Sequence, residues 1–131
     1  MSEQILENLE IEGEKGTFFT PKVNFNAETG ACVLEGESYL EDTWEFYDRL
    51  LSWISDYTKT GKPLSFDFKL TYFNTSSSKG ILDVLKQIKN YEDQGGEVTV
   101  KWHHPEDDED NVEEAEDFKD DTGLDIELVP Y

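Results

Sequence analysis

Between Leu64 and Leu85 the chain reads LSFDFKLTYFNTSSSKGILDVL. Leu64, Phe66, Phe68, Leu70 and Tyr72 alternate with Ser65, Asp67, Lys69 and Thr71. A period of two sends these sets to opposite faces, so the pattern predicts a strand with one buried face. Asn74-Thr75-Ser76-Ser77-Ser78 follows, then Ile81, Leu82, Leu85 and Ile88 at helical spacing. A strand thus runs into a cluster of hydroxyls, and the cluster runs into a helix. In an open α/β sheet that junction lies at the carboxyl end of the strands, where sites form.

The remaining segments extend this unit. Residues 1–16 form an acidic N-terminal tail, with Ile5, Leu6, Leu9 and Ile11 among glutamates. They are expected as a frayed helical turn or a docked tail. Thr17–Asn24 reads as a strand, placed at an edge by Pro21. Asn26-Ala27-Glu28-Thr29-Gly30 is turn-like, and Ala31–Glu35 returns as the other arm of a hairpin ending at Gly36. Asp42 or Thr43 caps a helix with two apolar stripes: Trp44, Tyr47, Leu51 and Ile54, and beside them Phe46, Leu50, Trp53 and Tyr57. Thr60-Gly61-Lys62-Pro63 stops it. After the strand at 64–72, a second helix runs from about Ser76 to Tyr91. Glu97–Trp102 is another alternating strand, broken at His103-His104-Pro105. A short acidic helix over 106–121 and a strand over Leu124–Val129 complete the chain.

The order β-β-α-β-α-β-α-β in 131 residues predicts one α/β domain spanning 1–131. Its sheet should be mixed: an N-terminal hairpin plus parallel strands joined by right-handed crossovers. Strands covered on both sides read as continuous apolar runs. Here Asp67, Lys69, Glu97, Thr99, Lys101, Asp125 and Glu127 occupy the alternate positions. The helices should therefore lie mainly on one face, leaving the other face to water or a partner.

Charge narrows the function classes. Thirty-one acidic against 11 basic residues give a net charge of −20. Such a surface repels nucleic acid and anionic membranes and favours basic partners. No apolar run is long enough to span a bilayer. Met1-Ser2-Glu3 lacks the basic start of a signal peptide, so a cytoplasmic protein is expected. One cysteine, Cys32, excludes an internal disulfide. It reads as a small buried strand residue.

The hydroxyl cluster has two readings. In one, Asn74, Thr75 or Ser76 simply caps the helix. In the other it is a phosphorylation site: a phosphate here meets the positive helix end, its free N–H groups and Lys79. Ser76-Ser77-Ser78-Lys79 also matches the short Ser-x-x-Lys pattern of serine acylases, without the other motifs that chemistry needs. No dinucleotide fingerprint or phosphate loop is present. His103 and His104 sit beside Glu106-Asp107-Asp108, but adjacent side chains on an extended chain point apart, so no metal site is expected. The acidic run lacks the glycine and terminal glutamate of a calcium loop and reads as a solvated helix face. Trp44, Phe46, Tyr47, Trp53 and Tyr57 read mainly as core. No acid, base and nucleophile converge, so neither an enzyme nor a cofactor is expected.

Leu70-Thr71-Tyr72-Phe73-Asn74-Thr75-Ser76-Ser77-Ser78-Lys79 resembles the characteristic motif of the SiaC-like regulatory phosphoproteins. Gly36-Glu37-Ser38-Tyr39, the Trp-containing first helix, and Gly95-Gly96 followed by Val100-Lys101-Trp102-His103 match as well. The resemblance implies a small STAS-like domain similar to anti-sigma-factor antagonists. It implies a partner-switching signalling protein, phosphorylated by a kinase-like protein and dephosphorylated by a PP2C-type phosphatase. The output protein in one branch is a diguanylate cyclase, bound by the unphosphorylated form. The phosphoacceptor falls on Thr75. Asn74 and Ser76 then hold the loop, and Ser77, Ser78 and Lys79 flank the partner surface. The sequence departs from the family pattern in the extra hydroxyl of Ser78 and in its exceptionally acidic third helix. The competing expectation is a scaffold subunit that is not phosphorylated. It would bind through the open sheet face or the acidic helix, with homodimerisation through the polar face.

Overall fold

The computed structural model describes residues 6–131; Ile5 and the rest of the first five residues of the acidic segment lie outside them. The strands are β1 (Leu9–Ile11), β2 (Glu14–Lys15), β3 (Phe19–Thr20), β4 (Lys22–Phe25), β5 (Ala31–Ser38), β6 (Leu64–Phe73), β7 (Val98–His104) and β8 (Ile126–Pro130). The helices are α1 (Thr43–Thr58), α2 (Thr75–Asp93) and α3 (Glu109–Thr122). Six strands form one sheet in the order β1-β4-β5-β6-β7-β8, while β2 and β3 pair separately. The β1–β4 and β4–β5 pairs are antiparallel, and β5, β6, β7 and β8 are parallel. This is the expected mixed sheet.

Alternation dictates the packing. Val23, Phe25, Cys32, Leu34, Leu64, Phe66, Phe68, Leu70, Val100, Trp102 and Ile126 are buried on one face. The buried residues of the three helices join the same cluster. Phe66 and Phe68 stack at 4.5 Å between ring centroids, and Phe68 stacks on Trp102 at 5.1 Å. Each such fully buried side chain contributes about 1.5–3 kcal/mol. The opposite face carries Glu35, Asp67, Lys69, Lys101 and His103, all half-buried.

Several expectations need correction. Pro21, which has no N–H to donate, falls in the break between β3 and β4. It does not mark the sheet edge: β1, from the acidic N-terminal segment, pairs with β4 and forms that edge. The β7 strand continues through His103 and His104, paired with Val129 and Pro130. The final strand starts two residues late, because Leu124 packs into the core before pairing begins.

A larger correction concerns Tyr72. The β5–β6 register passes from Gly36 opposite Leu70 to Glu37 opposite Tyr72, so Thr71 is an extra residue. One extra residue inverts the alternation beyond it. Phe73 therefore turns inward against Trp102 and Phe118, and Tyr72 turns outward, 51% exposed. Gly36 takes the positive φ of 107° at this bulge. Trp44 is likewise outside the core, 52% exposed on the first turn of α1.

Candidate functional site

The bulge delivers the end of β6 to the start of α2. Asn74 is the cap of α2: its Oδ1 accepts from the Ser77 N–H at 3.0 Å. The Asn74 N–H donates to the Ser38 carbonyl at 3.1 Å, tying the turn to the end of β5. Thr75 is then the first helical residue.

The four hydroxyls of the cluster meet different fates. Ser77 is fully buried. Its hydroxyl donates to the Ser38 carbonyl at 3.0 Å and accepts from the Ser38 hydroxyl at 2.7 Å. With the Ser38 proton so placed, the Tyr47 hydroxyl 2.8 Å away donates to Ser38 Oγ. Each of these three hydroxyls thus donates its proton once. Burial pushes the Tyr47 phenol up to about 12, while its bonds with Ser38 and Ser77 act in the opposite direction. Gly80 lets the Tyr47 ring approach this closely, since a Cβ there would lie 2.4 Å from Tyr47 Cγ. Ser76 is half-buried: Thr43 Oγ1 lies 3.0 Å from its Oγ, which donates to Asn74 Oδ1 at 3.3 Å. Ser78 is half-buried at the rim of a cleft, and Lys79 is exposed beside it.

Thr75 differs from these. It is exposed and, among the described residues, its hydroxyl has no hydrogen-bond partner; the Ser78 hydroxyl is also unpaired but half-buried. An exposed, unbonded hydroxyl thus stands on a helix N-terminus whose next turn is fixed from below. Ser77, expected beside the partner surface, is instead part of that buried support and offers nothing to a partner. Sequence reasoning missed Ser38, Thr43 and Tyr47, which complete the support. The faint signal for Ser38 and Tyr47 was a hydroxyl at an inward position of each element.

The cleft beside Thr75 has a volume of about 330 Å³ and lies between α2 and α3. Phe73, Leu82 and Phe118 give it apolar walls, and Glu114, Asp117 and Asp121 of α3 face it. Partial desolvation first, then the charges of Asp108, Asp110 and Asp117, push the Glu114 carboxyl above the usual range.

The other candidates do not gather chemistry. His103 Nε2 lies 3.4 Å from Asp67 Oδ1, whereas His104 is buried with Nδ1 2.9 Å from the Pro105 carbonyl oxygen. Among the described residues, no three His, Cys, Asp or Glu side chains gather to hold a metal ion. The Cys32 thiol is buried, and burial, then the nearby Asp67 charge, push its pKa well up, which suppresses thiolate chemistry. No helix among the described residues is long and apolar enough to cross a membrane.

Known proteins resemble this chain in sequence and fold. An uncharacterized protein of Pseudomonas aeruginosa strain UCBPP-PA14 is 32% identical over 107 residues, covering 81% of this chain and 85% of that protein. The crystal structure of apo-SiaC from Pseudomonas aeruginosa superposes with a TM-score of 0.80 at 30% identity, covering 93% of this chain and 98% of that one. A chain in the crystal structure of the diguanylate cyclase SiaD in complex with its activator SiaC, also from Pseudomonas aeruginosa, superposes with a TM-score of 0.83 at 27% identity. It covers 92% of this chain and 100% of that one. The model of the SiaC family regulatory phosphoproteins matches residues 11–131, which takes in every strand from β2 onward, all three helices and the Thr75 junction; the chain belongs to the SiaC family of regulatory phosphoproteins.

Proposed function

We propose that this protein is the phosphorylated component of a cytoplasmic partner switch, with Thr75 as its phosphoacceptor. The observation that carries the reading is the exposed, unbonded Thr75 hydroxyl above a hydrogen-bonded floor of Asn74, Ser76 and Ser77. A phosphate on Thr75 has the first-turn N–H groups of α2 beside it and Lys79 one turn along. It brings about two negative charges to a surface that a partner must cover. A kinase would supply the phosphoryl group from ATP, and a PP2C-type phosphatase would remove it. The chain then contributes the acceptor and its positioning, not the phosphoryl-transfer machinery.

The output partner in this reading is a diguanylate cyclase, by analogy with the SiaD–SiaC complex. The unmodified form binds it, and the phosphate blocks binding by repulsion and by the cost of desolvating a dianion. Exposed Tyr72 and Trp44 flank the junction on β6 and α1 and suit protein contact. The test is activation of a cyclase from the same cells by three forms of the protein. Unmodified and Thr75→Ala proteins should both activate, and protein carrying phosphothreonine at 75 should lose at least tenfold in apparent affinity. Equal activation by the phosphorylated form would contradict the switch.

A further inference from the structure

Thr75 looks across its cleft at negative charge. Glu114, Asp117 and Asp121 recur at intervals of three and four residues, so they share one face of α3. That face lines the same cavity as Thr75, Ser78 and Lys79. The surface between is apolar, with the rings of Phe73 and Phe118 6.0 Å apart. Glu114 already resists ionisation because of partial desolvation and its acidic neighbours. Against this stand two positive features, the N-terminus of α2 and Lys79. An ordinary helix N-terminus would simply welcome a phosphate; this one faces an acidic wall.

We propose that α3 is a built-in reader of the phosphate: a phosphate on Thr75 repels Glu114, Asp117 and Asp121 and loosens the C-terminal half of α3 from α2. The proposal rests on the reading of Thr75 as the phosphoacceptor. The two sides of the cleft are held unequally. The first turn of α2 is pinned through Asn74, Ser76 and Ser77 to β5 and α1. The start of α3 is also pinned, because buried Asn111 accepts from Trp102 Nε1 at 2.6 Å and donates to the Leu70 carbonyl at 3.1 Å. Beyond it the buried residues of α3 are Ala115 and Phe118. Asp117 and Asp121 flank Phe118, so the repulsion acts where apolar packing is the anchor. Movement there uncovers Phe73 and Phe118 and changes the shape of the cleft next to the phosphate. A partner would then read phosphorylation as altered shape as well as added charge.

The test installs phosphothreonine at residue 75 of the full chain by co-translational incorporation. Amide hydrogen exchange over 109–122 is compared with that of the unmodified chain at low and high salt. The same pair is made in the Glu114→Gln, Asp117→Asn, Asp121→Asn background. The expected result is several-fold faster exchange over 115–122 in the phosphorylated protein at low salt. The acceleration should shrink at about 1 M salt, where the screening length falls to about 3 Å, and vanish in the neutralised background. Unchanged or slower exchange, or acceleration indifferent to salt and to neutralisation, overturns the proposal. If the neutralised chain does not fold, the salt series on the natural sequence decides. Because the phosphate is installed, an unresponsive α3 overturns this device alone. Native protein without phosphate on Thr75 overturns the phosphoacceptor assignment instead.

Discussion

Among the four hydroxyls from Thr75 to Ser78, position in the helix turn decides role. Ser77 points inward and is held at both its proton and its lone pair, so removing it leaves the Ser38 hydroxyl proton without an acceptor in a dry environment, while the Ser38 carbonyl keeps only the Asn74 N–H. Ser77→Ala should cost about 1–3 kcal/mol in urea unfolding. Thr75→Ala, at an exposed and unbonded site, should stay within about 0.5 kcal/mol. Similar losses in both variants would contradict the division of labour. Tyr47 gives a pH signature. Its folded-state pKa is raised from 10.0 to about 12, so its contribution is complete below the unfolded value and is lost as pH rises through the folded one. Stability should therefore fall more steeply between about pH 10 and 12 in the natural protein than in Tyr47→Phe, read from urea midpoints; parallel curves would sink the assignment. The strand-to-hydroxyl-to-helix junction was plain in the sequence. The sorting of its hydroxyls was not, because Ser38 lies 39 residues before Ser77 and meets it only once β5 and β6 pair at the centre of the sheet.

At the level of elements, alternation and capping were legible where each depends on neighbours in sequence. Asp42 and Asn74 cap their helices, and Gly123 closes α3 at a φ of 74°. The bulge was hidden, because LTYF alternates locally and the extra residue exists only relative to the partner strand. Gly36 makes that irregularity affordable, with a φ of 107° that L side chains rarely adopt. Gly36→Ala should destabilise the protein by about 1–3 kcal/mol, although a Cβ there would touch nothing within 4 Å. A thermal melt unchanged by that substitution would show that the bulge bears no strain. The acidic helix was legible as a helix, but its orientation was not. Glu114, Asp117 and Asp121 looked like a solvated face, and packing Ala115 and Phe118 into the core turns them toward Thr75.

For the molecule as a whole, a net charge of −20 excludes partners by sign but specifies none. Function instead follows from topology. Parallel strands bring the ends of β5 and β6 and the starts of α1 and α2 to one rim, and Thr75 is the exposed, unengaged hydroxyl of the α2 start there. The mixed sheet with helices on one face was readable from alternation because polar side chains such as Asp67, Lys69, Thr99, Lys101 and Glu127 interrupt the apolar positions of the later strands. The central claim is that Thr75 is reversibly phosphorylated. Intact mass and site mapping on protein purified from its native cells, beside a phosphatase-treated control, test it most directly. The account predicts a single phosphate, localised to Thr75 and removed by the phosphatase. Phosphate confined to Ser76, Ser77 or Ser78, or no phosphate under any growth condition, would contradict it.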